Sequence, residues 1–469
     1  MKITRRSALA GAAAPAFLQR DAKRTNLLFI LSDDHSVPFL GAYGAKWLST
    51  PNVDRFAREG MRFDRMFTSA PQCVPSRTAL MTGRSPVAVR MGRFNSPLPP
   101  NVATLPEVLR AAGYYTGVCG RYFHLDGVIK AGAVTQAIYE THGLRTWQRR
   151  IDYLDTSPQG QTQARFQEFL SKAPPGKPWF FWINYSDPHH PWDMQIRKID
   201  PAAVEVPPYL PDLPGVREDL ARYGAEVEHM DSLFEQAIGV LRRSGAEENT
   251  LVVFCGDNGL AFPHGKGSLY DPGLNVPLIA RWPGRVKAGG STRALISGED
   301  LAPTLIEAAG AKPPREISGR SFLPLLTGAA YEPRRHIFAA RLHHGNSPFG
   351  PNTKAAGFDL SRCARSDRWK LIYNCTPHME YQPVDSARDP AWQQMVAAHA
   401  EGKLSSKHDS AYFGRPRPVF ELYDLDNDPG ELDNVAGRAE TAQTQRELMM
   451  ALQEKMILDY DFLPPPMAE

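Results

Sequence analysis

Three apolar runs in this chain end in side chains that hold cations or move protons. Asn26-Leu27-Leu28-Phe29-Ile30-Leu31 leads to Asp33 and Asp34. Trp179-Phe180-Phe181-Trp182-Ile183 leads to Asp187-Pro188-His189-His190, and Thr250-Leu251-Val252-Val253-Phe254 leads to Asp257-Asn258-Gly259. Each run is apolar at consecutive positions, as a strand buried on both faces must be. Ligands of parallel α/β sheets bind beyond the carboxyl ends of the strands. Asp33, Asp34, Asp257, Asn258 and His189 are therefore expected at one edge. His190 rivals His189, because adjacent strand-end residues point in different directions. Any one of these acids alone would read as a solvated loop residue or a helix cap. Together, three carboxylates and an amide repel one another unless a cation neutralises them, and oxygen donors favour Ca²⁺ or Mg²⁺ over zinc.

A second group lies in Phe67-Thr68-Ser69-Ala70-Pro71-Gln72-Cys73-Val74-Pro75-Ser76-Arg77, which continues to Thr82-Gly83-Arg84. A cysteine at a helix start near Arg77 suits a low-pKa nucleophile. The competing reading is a small buried hydrophobe, the usual state of a lone cysteine.

The elements that must position these groups alternate between strand and helix, which predicts an α/β fold around a largely parallel sheet. Leu220, Tyr223, Val227, Met230, Phe234, Ile238 and Leu241 recur at helical steps between the second and third runs. Thr104 to Ala112 predicts a shorter helix closed by Gly113 and leading to a strand over Tyr115 to Cys119.

Cys73-x-Pro75-Ser76-Arg77 with Thr82-Gly83-Arg84 resembles the maturation signature of the type I sulfatases, whose cysteine is oxidised to formylglycine (3-oxoalanine). The resemblance extends over nearly the whole chain. Asp33-Asp34 and Asp257-Asn258-Gly259 look like the family's two pairs of metal ligands. Asp300-Leu301-Ala302-Pro303-Thr304-Leu305, Gly319-Arg320-Ser321-Phe322-Leu323-Pro324 and Glu421-Leu422-Tyr423-Asp424-Leu425 are similar to its supporting motifs. It implies an alkaline-phosphatase-like, mostly parallel central sheet between helices, with a smaller C-terminal α+β subdomain. The expected boundaries are 25–345 for the catalytic domain and 346–469 for the subdomain.

The same resemblance implies a mechanism. The aldehyde at position 73 hydrates, one hydroxyl attacks sulfur, and the other expels sulfate when it is deprotonated. Asp33, Asp34, Asp257 and Asn258, joined by the modified Cys73, would hold one divalent cation, Ca²⁺ ahead of Mg²⁺. Arg77 would orient the diol, and His189 would contact sulfate and protonate the leaving group. Lys266 corresponds to a second basic sulfate contact. Gly120-Arg121-Tyr122-Phe123-His124 departs from the family pattern, with Arg121 where lysine is usual. His124 matches the histidine that manages the diol proton. Arginine keeps the charge but does not readily release a proton.

Asp187-Pro188-His189, Phe262-Pro263-His264-Gly265-Lys266 and Arg365-Ser366-Asp367-Arg368-Trp369-Lys370 resemble the N-sulfoglucosamine sulfohydrolase branch most. The implied partners are a sulfated saccharide and a formylglycine-generating enzyme. The reaction expected is hydrolysis of a sulfate ester. The alternatives are a sulfamidase, a phosphonate or phosphate-diester hydrolase, and a non-catalytic sulfoglycan-binding protein. Arg341, His343 and His344 are candidates for reading a sugar acid or a second sulfate.

Composition narrows the classes further. The 469 residues are 42% hydrophobic and 22% charged, and 54 basic against 51 acidic residues leave +3. That balance does not fit a nucleic-acid-coating protein. No run reaches the roughly 18 apolar residues of a spanning helix. The 41 scattered prolines suit a loop-rich enzyme. Met1 to Arg24, with Lys2, the Arg5-Arg6 pair and the apolar stretch Ala8 to Leu18, reads as a twin-arginine-like export signal toward a periplasm. Five cysteines form no disulfide framework, although Cys363 and Cys375 could pair in an oxidising compartment.

Overall fold

The structure is a computed structural model and describes residues 24–92, 97–121, 133–155, 161–193, 198–344 and 358–467. Of the export signal expected over Met1 to Arg24, all but Arg24 lies outside the described residues. The expected runs are strands, β1 (Asn26–Ser32), β5 (Trp179–Asn184) and β6 (Thr250–Gly256). With β2 (Met61–Phe67), β3 (Tyr115–Gly120), β4 (Tyr153–Leu154), β7 (Asn275–Arg281), β8 (Gly290–Thr292) and β9 (Ile296–Ser297) they make a nine-stranded sheet. Its order is β4-β3-β5-β1-β6-β7-β2-β8, with β9 against β2. Pairing is parallel except on both sides of β7.

The uninterrupted apolar runs follow from this placement. Alternate residues of a strand face opposite ways, so Leu28, Ile30, Phe181 and Phe254 enter one core cluster and Leu27, Phe29, Trp182 and Val253 the other. The first is covered by the helices Pro51–Glu59, Thr162–Lys172 and Pro214–Arg243, the second by Cys73–Thr82, Leu105–Ala111 and Leu301–Ala308. Pro214–Arg243 buries every one of its seven expected apolar positions. At Leu105–Ala111 the start is fixed by a reciprocal cap, in which the Thr104 amide donates to Glu107 at 3.0 Å.

A second, antiparallel sheet runs β10 (Ile337–Arg341), β11 (Ser361–Arg365), β12 (Trp369–Asn374), β13 (Phe420–Asp424). Its first strand comes from ahead of the expected boundary at residue 345. The helix Ala442–Leu458 packs Leu448, Leu452 and Met456 on one face. The other face sets Cys363, Ile372 and Tyr423 against Phe67, Leu269 and Leu274 of the larger part. Lys370, wholly buried, adds an ion pair across the same junction to Asp271 and one within its own part to Glu431, each at 2.6 Å. Cys363 and Cys375 are not bonded. The register explains why, because Cys363 pairs with Ile372 while the Cys375 amide reaches the carbonyl of Leu360.

Phe181 is central to the first core, stacked on Phe166 and Phe169 with ring centroids at 5.0 and 4.3 Å. Phe181→Ala should lower the unfolding free energy by about 3–5 kcal/mol. Urea denaturation checks this, and a loss below about 1 kcal/mol would mean that the neighbouring rings close the gap.

Candidate active site

The carboxyl ends of β1, β3, β5 and β6 deliver the site. Asp33 and Asp34 follow β1, Asp257 and Asn258 follow β6, and His189 lies on the turn beyond β5. At the end of β3, Gly120 has φ +82°, and a Cβ there would meet the Asn184 carbonyl oxygen at 2.0 Å. Only glycine makes this turn, which brings Arg121 inward. Cys73 opens the wholly buried helix Cys73–Thr82. The Ser76 hydroxyl donates to the Asp257 carbonyl and ties that helix to the end of β6.

Arg77, with no exposed surface, holds two carboxylates at once. Its Nη2 is 3.0 Å from Asp33 Oδ2 and its Nε donates to Asp257 Oδ2 at 2.9 Å. Its Nη1 donates to the Arg121 carbonyl at 2.7 Å and to Asn184 Oδ1 at 3.3 Å. Arg121 puts Nε 3.0 Å from Asp33 Oδ2 and Nη2 3.0 Å from His189 Nε2. Lys266 Nζ reaches Asp34 at 2.9 Å, Asp385 at 2.7 Å and His189 Nε2 at 3.2 Å. Cys73 Sγ is 3.5 Å from Asp33 Oδ1 and 3.9 Å from Asp34 Oδ1.

These contacts settle the tautomer of His189. Arginine and lysine only donate, so Nε2 is an acceptor, and Nδ1, facing the His190 carbonyl, carries the proton. Burial, then Lys266, pushes the imidazolium pKa well below its ordinary value. The 3.7 Å approach of Nε2 to Asp34 is thus not an ion pair in this state.

Burial pushes every carboxyl here upward, and the cations decide which stay ionised. Arg121 and Arg77 overcome burial at Asp33 and hold it well below the usual range. Asp34 is pushed up to about 6 by burial against the pull of Lys266, and Asp257 to about 7 by burial and its neighbour Asp33. Lys266 is held well above its ordinary value by Asp34 and Asp385, despite burial. Burial and the carboxylates push the Cys73 thiol well above its ordinary value, the reverse of the low-pKa nucleophile expected from a helix start beside Arg77.

The backbone also bends to the site. Asp34 has φ +58°, an uncommon region for a residue with a side chain. Its amide donates to Asp257 Oδ1 at 3.0 Å and its carbonyl accepts from Tyr223 Oη at 3.1 Å.

The residues present fit a hard divalent cation. Ligand atoms of Asp33, Asp34, Cys73 and His189 lie within 4.8 Å of one another. Asn258 Nδ2 donates to Asp34 Oδ1 at 2.8 Å, which leaves Asn258 Oδ1 buried with no hydrogen-bond partner among the described residues. A buried carbonyl oxygen without a donor, beside two carboxyls whose charge is under-compensated, suits such an ion. Asp257 is less open, since Oδ1 accepts from the Asp34 and Asn258 amides and Oδ2 holds Arg77.

Several expectations change. Repulsion alone does not demand a metal, because Arg77, Arg121 and Lys266 already face the three acids. His190 turns to Asp389 at 2.8 Å rather than to the floor of the site. Arg341 is buried against Asp359 at 2.7 Å and is placed to read no sugar acid. His343 packs on Phe358, and His344 lies 3.4 Å from Asp385. His124 lies outside the described residues. Asp385 escaped the sequence reading, since Pro383-Val384-Asp385-Ser386 carries no motif. Asn184 was legible in principle as the polar residue ending the apolar run of β5.

Residues 25–311 match the family described as Sulfatase, and residues 262–409 match N-sulphoglucosamine sulphohydrolase, C-terminal. The chain is 29% identical to an ulvan-active sulfatase of Formosa agariphila over 464 residues, covering 92% of this chain and 74% of that protein. It is 28% identical to human N-sulphoglucosamine sulphohydrolase over 464 residues, 90% of this chain and 88% of that one. Among solved structures, the phosphonate monoester hydrolase of Silicibacter pomeroyi superposes with TM-score 0.65 at 20% identity, over 94% of this chain and 96% of that one, a likeness of fold. By these matches and the fold that carries them, the chain belongs to the sulfatase family, type I, on the alkaline-phosphatase-like fold, and is a sulfuric ester hydrolase.

Proposed function

We propose that the protein hydrolyses a sulfate ester of a sulfated saccharide, using formylglycine made from Cys73 and one divalent cation. The observation that carries this reading is Cys73 itself. It is buried at a helix start within reach of Asp33 and Asp34, in a cradle whose other wall is Arg77, Arg121, Lys266 and His189. The thiol is held neutral there, so the unmodified side chain makes a poor nucleophile. The hydrated aldehyde would supply from one residue both the hydroxyl that attacks sulfur and the hydroxyl that, once deprotonated, expels sulfate and restores the aldehyde. A cation held by Asp33, Asp34, Asp257, Asn258 and residue 73, Ca²⁺ ahead of Mg²⁺, would supply Lewis-acid stabilisation.

The chain's own residues do the rest. Arg121 and Lys266 present N–H donors that a sulfate oxygen can accept in place of His189 Nε2. Handing those bonds to the anion frees Nε2 and sets negative charge beside it, so the imidazole can take a proton from water and pass it to the leaving oxygen. Arg77 fixes Asp33 and Asp257 relative to residue 73. Arg121 acts as an oxyanion clamp, a role that does not require it to release a proton. His124 is assigned to the proton of the diol. A saccharide is favoured because the relatives over most of the chain are named for ulvan and N-sulfoglucosamine. The match over residues 262–409 supports N-sulfoglucosamine as a second reading.

We assign residues 25–345 to a catalytic domain and 346–469 to a subdomain that takes β10 from the end of the first. Met1 to Arg24 is assigned to export into a periplasm. No helix of the described residues is long and apolar enough to cross a membrane.

Protein co-produced with a formylglycine-generating enzyme should show the aldehyde at residue 73 by peptide mass. It should release sulfate from O-sulfated saccharides, and Cys73→Ala and Asp257→Ala should abolish release. Faster turnover of a phosphonate monoester would replace the reading, and release confined to N-sulfoglucosamine would select the sulfamidase.

The cation has a separate signature in stability. Asp34 and Asp257, raised to about 6 and about 7, keep protons that the unfolded chain surrenders near pH 4. The contribution of these two carboxyls to the stability of chelated protein should therefore fall as pH rises from about 4 to about 7, against the opposite slope of the buried His35 and His264, pushed down to about 4 and about 3. Glu431, buried and pushed up to about 7, adds to the slope of the two carboxyls. Added Ca²⁺ should raise the urea midpoint at pH 8 and do little at pH 5. An equal effect at both would remove Asp34 and Asp257 as ligands.

A further inference from the structure

The floor of the site and its rim differ in kind. Asp33, Asp34 and Asp257 have no exposed side-chain surface, whereas Asp385 is 25% exposed. Asp385 Oδ2 is tied to Lys266 and Oδ1 to His344. Each carboxylate oxygen has a second lone pair, so both can still accept. The segment is held in place, because a Cβ on Gly267, next to Lys266, would meet Val384 at 2.6 Å. Four residues on, Asp389 carries His190 at 2.8 Å. The rim that these residues form is made of carboxylates and imidazoles. Arg341, which would have clamped a second anion, is buried on Asp359.

We propose that Asp385 reads a hydrogen-bond donor on the saccharide, a hydroxyl or an ammonium beside the sulfate, and disfavours a second anionic group there. This rests on the saccharide reading above. Lys266 joins the two tasks. Its ammonium spans Asp34 in the floor and the partly exposed Asp385, so a sulfate held at Lys266 would lie beside the Asp385 carboxylate. A carboxylate in that position accepts from a sugar hydroxyl in a charge-assisted bond and repels a carboxylate or sulfate. Asp385 is then a specificity residue supplied by the segment between β12 and β13.

The test is a cycle of substrate and residue. Sulfate release is measured for aldehyde-bearing wild type and Asp385→Ala with three substrates. These are a monosulfated hexose, its deoxy analogue lacking a hydroxyl that flanks the sulfate, and para-nitrophenyl sulfate. The substitution should cost the hexose about 10- to 100-fold in kcat/KM, mainly through KM, beyond any loss on the aryl sulfate. The deoxy analogue, lacking the hydroxyl that Asp385 accepts from, should be nearly indifferent to it. Equal losses on all three substrates would make Asp385 an anchor for Lys266 alone and overturn the proposal. Turnover of the aryl sulfate by wild type with none of any saccharide would instead overturn the saccharide reading, and this proposal with it. If Asp385→Ala fails to fold, Asp385→Asn with an amino-hexose sulfate completes the cycle, because loss of charge should weaken the ammonium contact by a similar factor.

Discussion

A carboxylate removed from water must be matched by charge or give up its ionisation, and the site is organised around that demand. Asp33, Asp34 and Asp257 are wholly buried, and Arg77, equally buried, grips two of them. Removing one partner of such a pair strands the other at a cost of about 3–5 kcal/mol. The strand ends of β1 and β6 and the helix Cys73–Thr82 are thereby held in one relative position. Arg121 and Lys266 complete the balance from the end of β3 and from the loop after β6. The compensation is uneven, which keeps the site responsive. Asp33 is firmly ionised, while Asp34 and Asp257 remain raised and open to further positive charge.

The fold exists to make that burial affordable in geometry. Strands buried on both faces can end in polar groups only at their tips, and parallel pairing of β1 with β5 and β6 puts those tips side by side. The left-handed backbone at Asp34 costs of order 1–3 kcal/mol. It is offset by the bonds that its amide and carbonyl make to Asp257 and Tyr223. Tyr223 belongs to the long helix Pro214–Arg243, so the helix that covers one face of the sheet also locks the first acidic turn.

Much of this was legible because it is local in sequence. Consecutive apolar residues identified β1, β5 and β6, the three-four spacing identified the long helix, and the Cys73 motif stood in one uninterrupted stretch. What escaped depended on partners far apart in the chain. The acids alone argued for a metal by repulsion, but their neutralisation depends on how near Arg77, Arg121 and Lys266 come, which spacing does not encode. For the Cys73 thiol the helix start and Arg77 argue for a low pKa and the habit of a lone cysteine for a small buried group; burial and the surrounding carboxylates decide for the second. Arg341 sat in a stretch that resembled an exposed loop, yet it ends β10 and is taken by Asp359. Asp385 had no motif at all, only a place in space.

The separation of floor from rim has a consequence for how such a site can vary. A sulfuryl group presents the same tetrahedral oxygens whatever alcohol carries it, so residues that touch only those oxygens cannot tell substrates apart. The floor is also the part that burial constrains most, since any change there strands a charge. Discrimination must come from groups that meet the remainder of the substrate and whose replacement does not unbalance the buried acids. In this chain Asp385 and Asp389 answer that description in part, lying on a loop-borne segment after β12 and partly open to solvent. Asp385 differs from Asp389 in one respect, its bond to Lys266. A change at Asp385 therefore also alters the hold on the buried Lys266 ammonium, whereas Asp389 pairs with His190, which turns away from the floor.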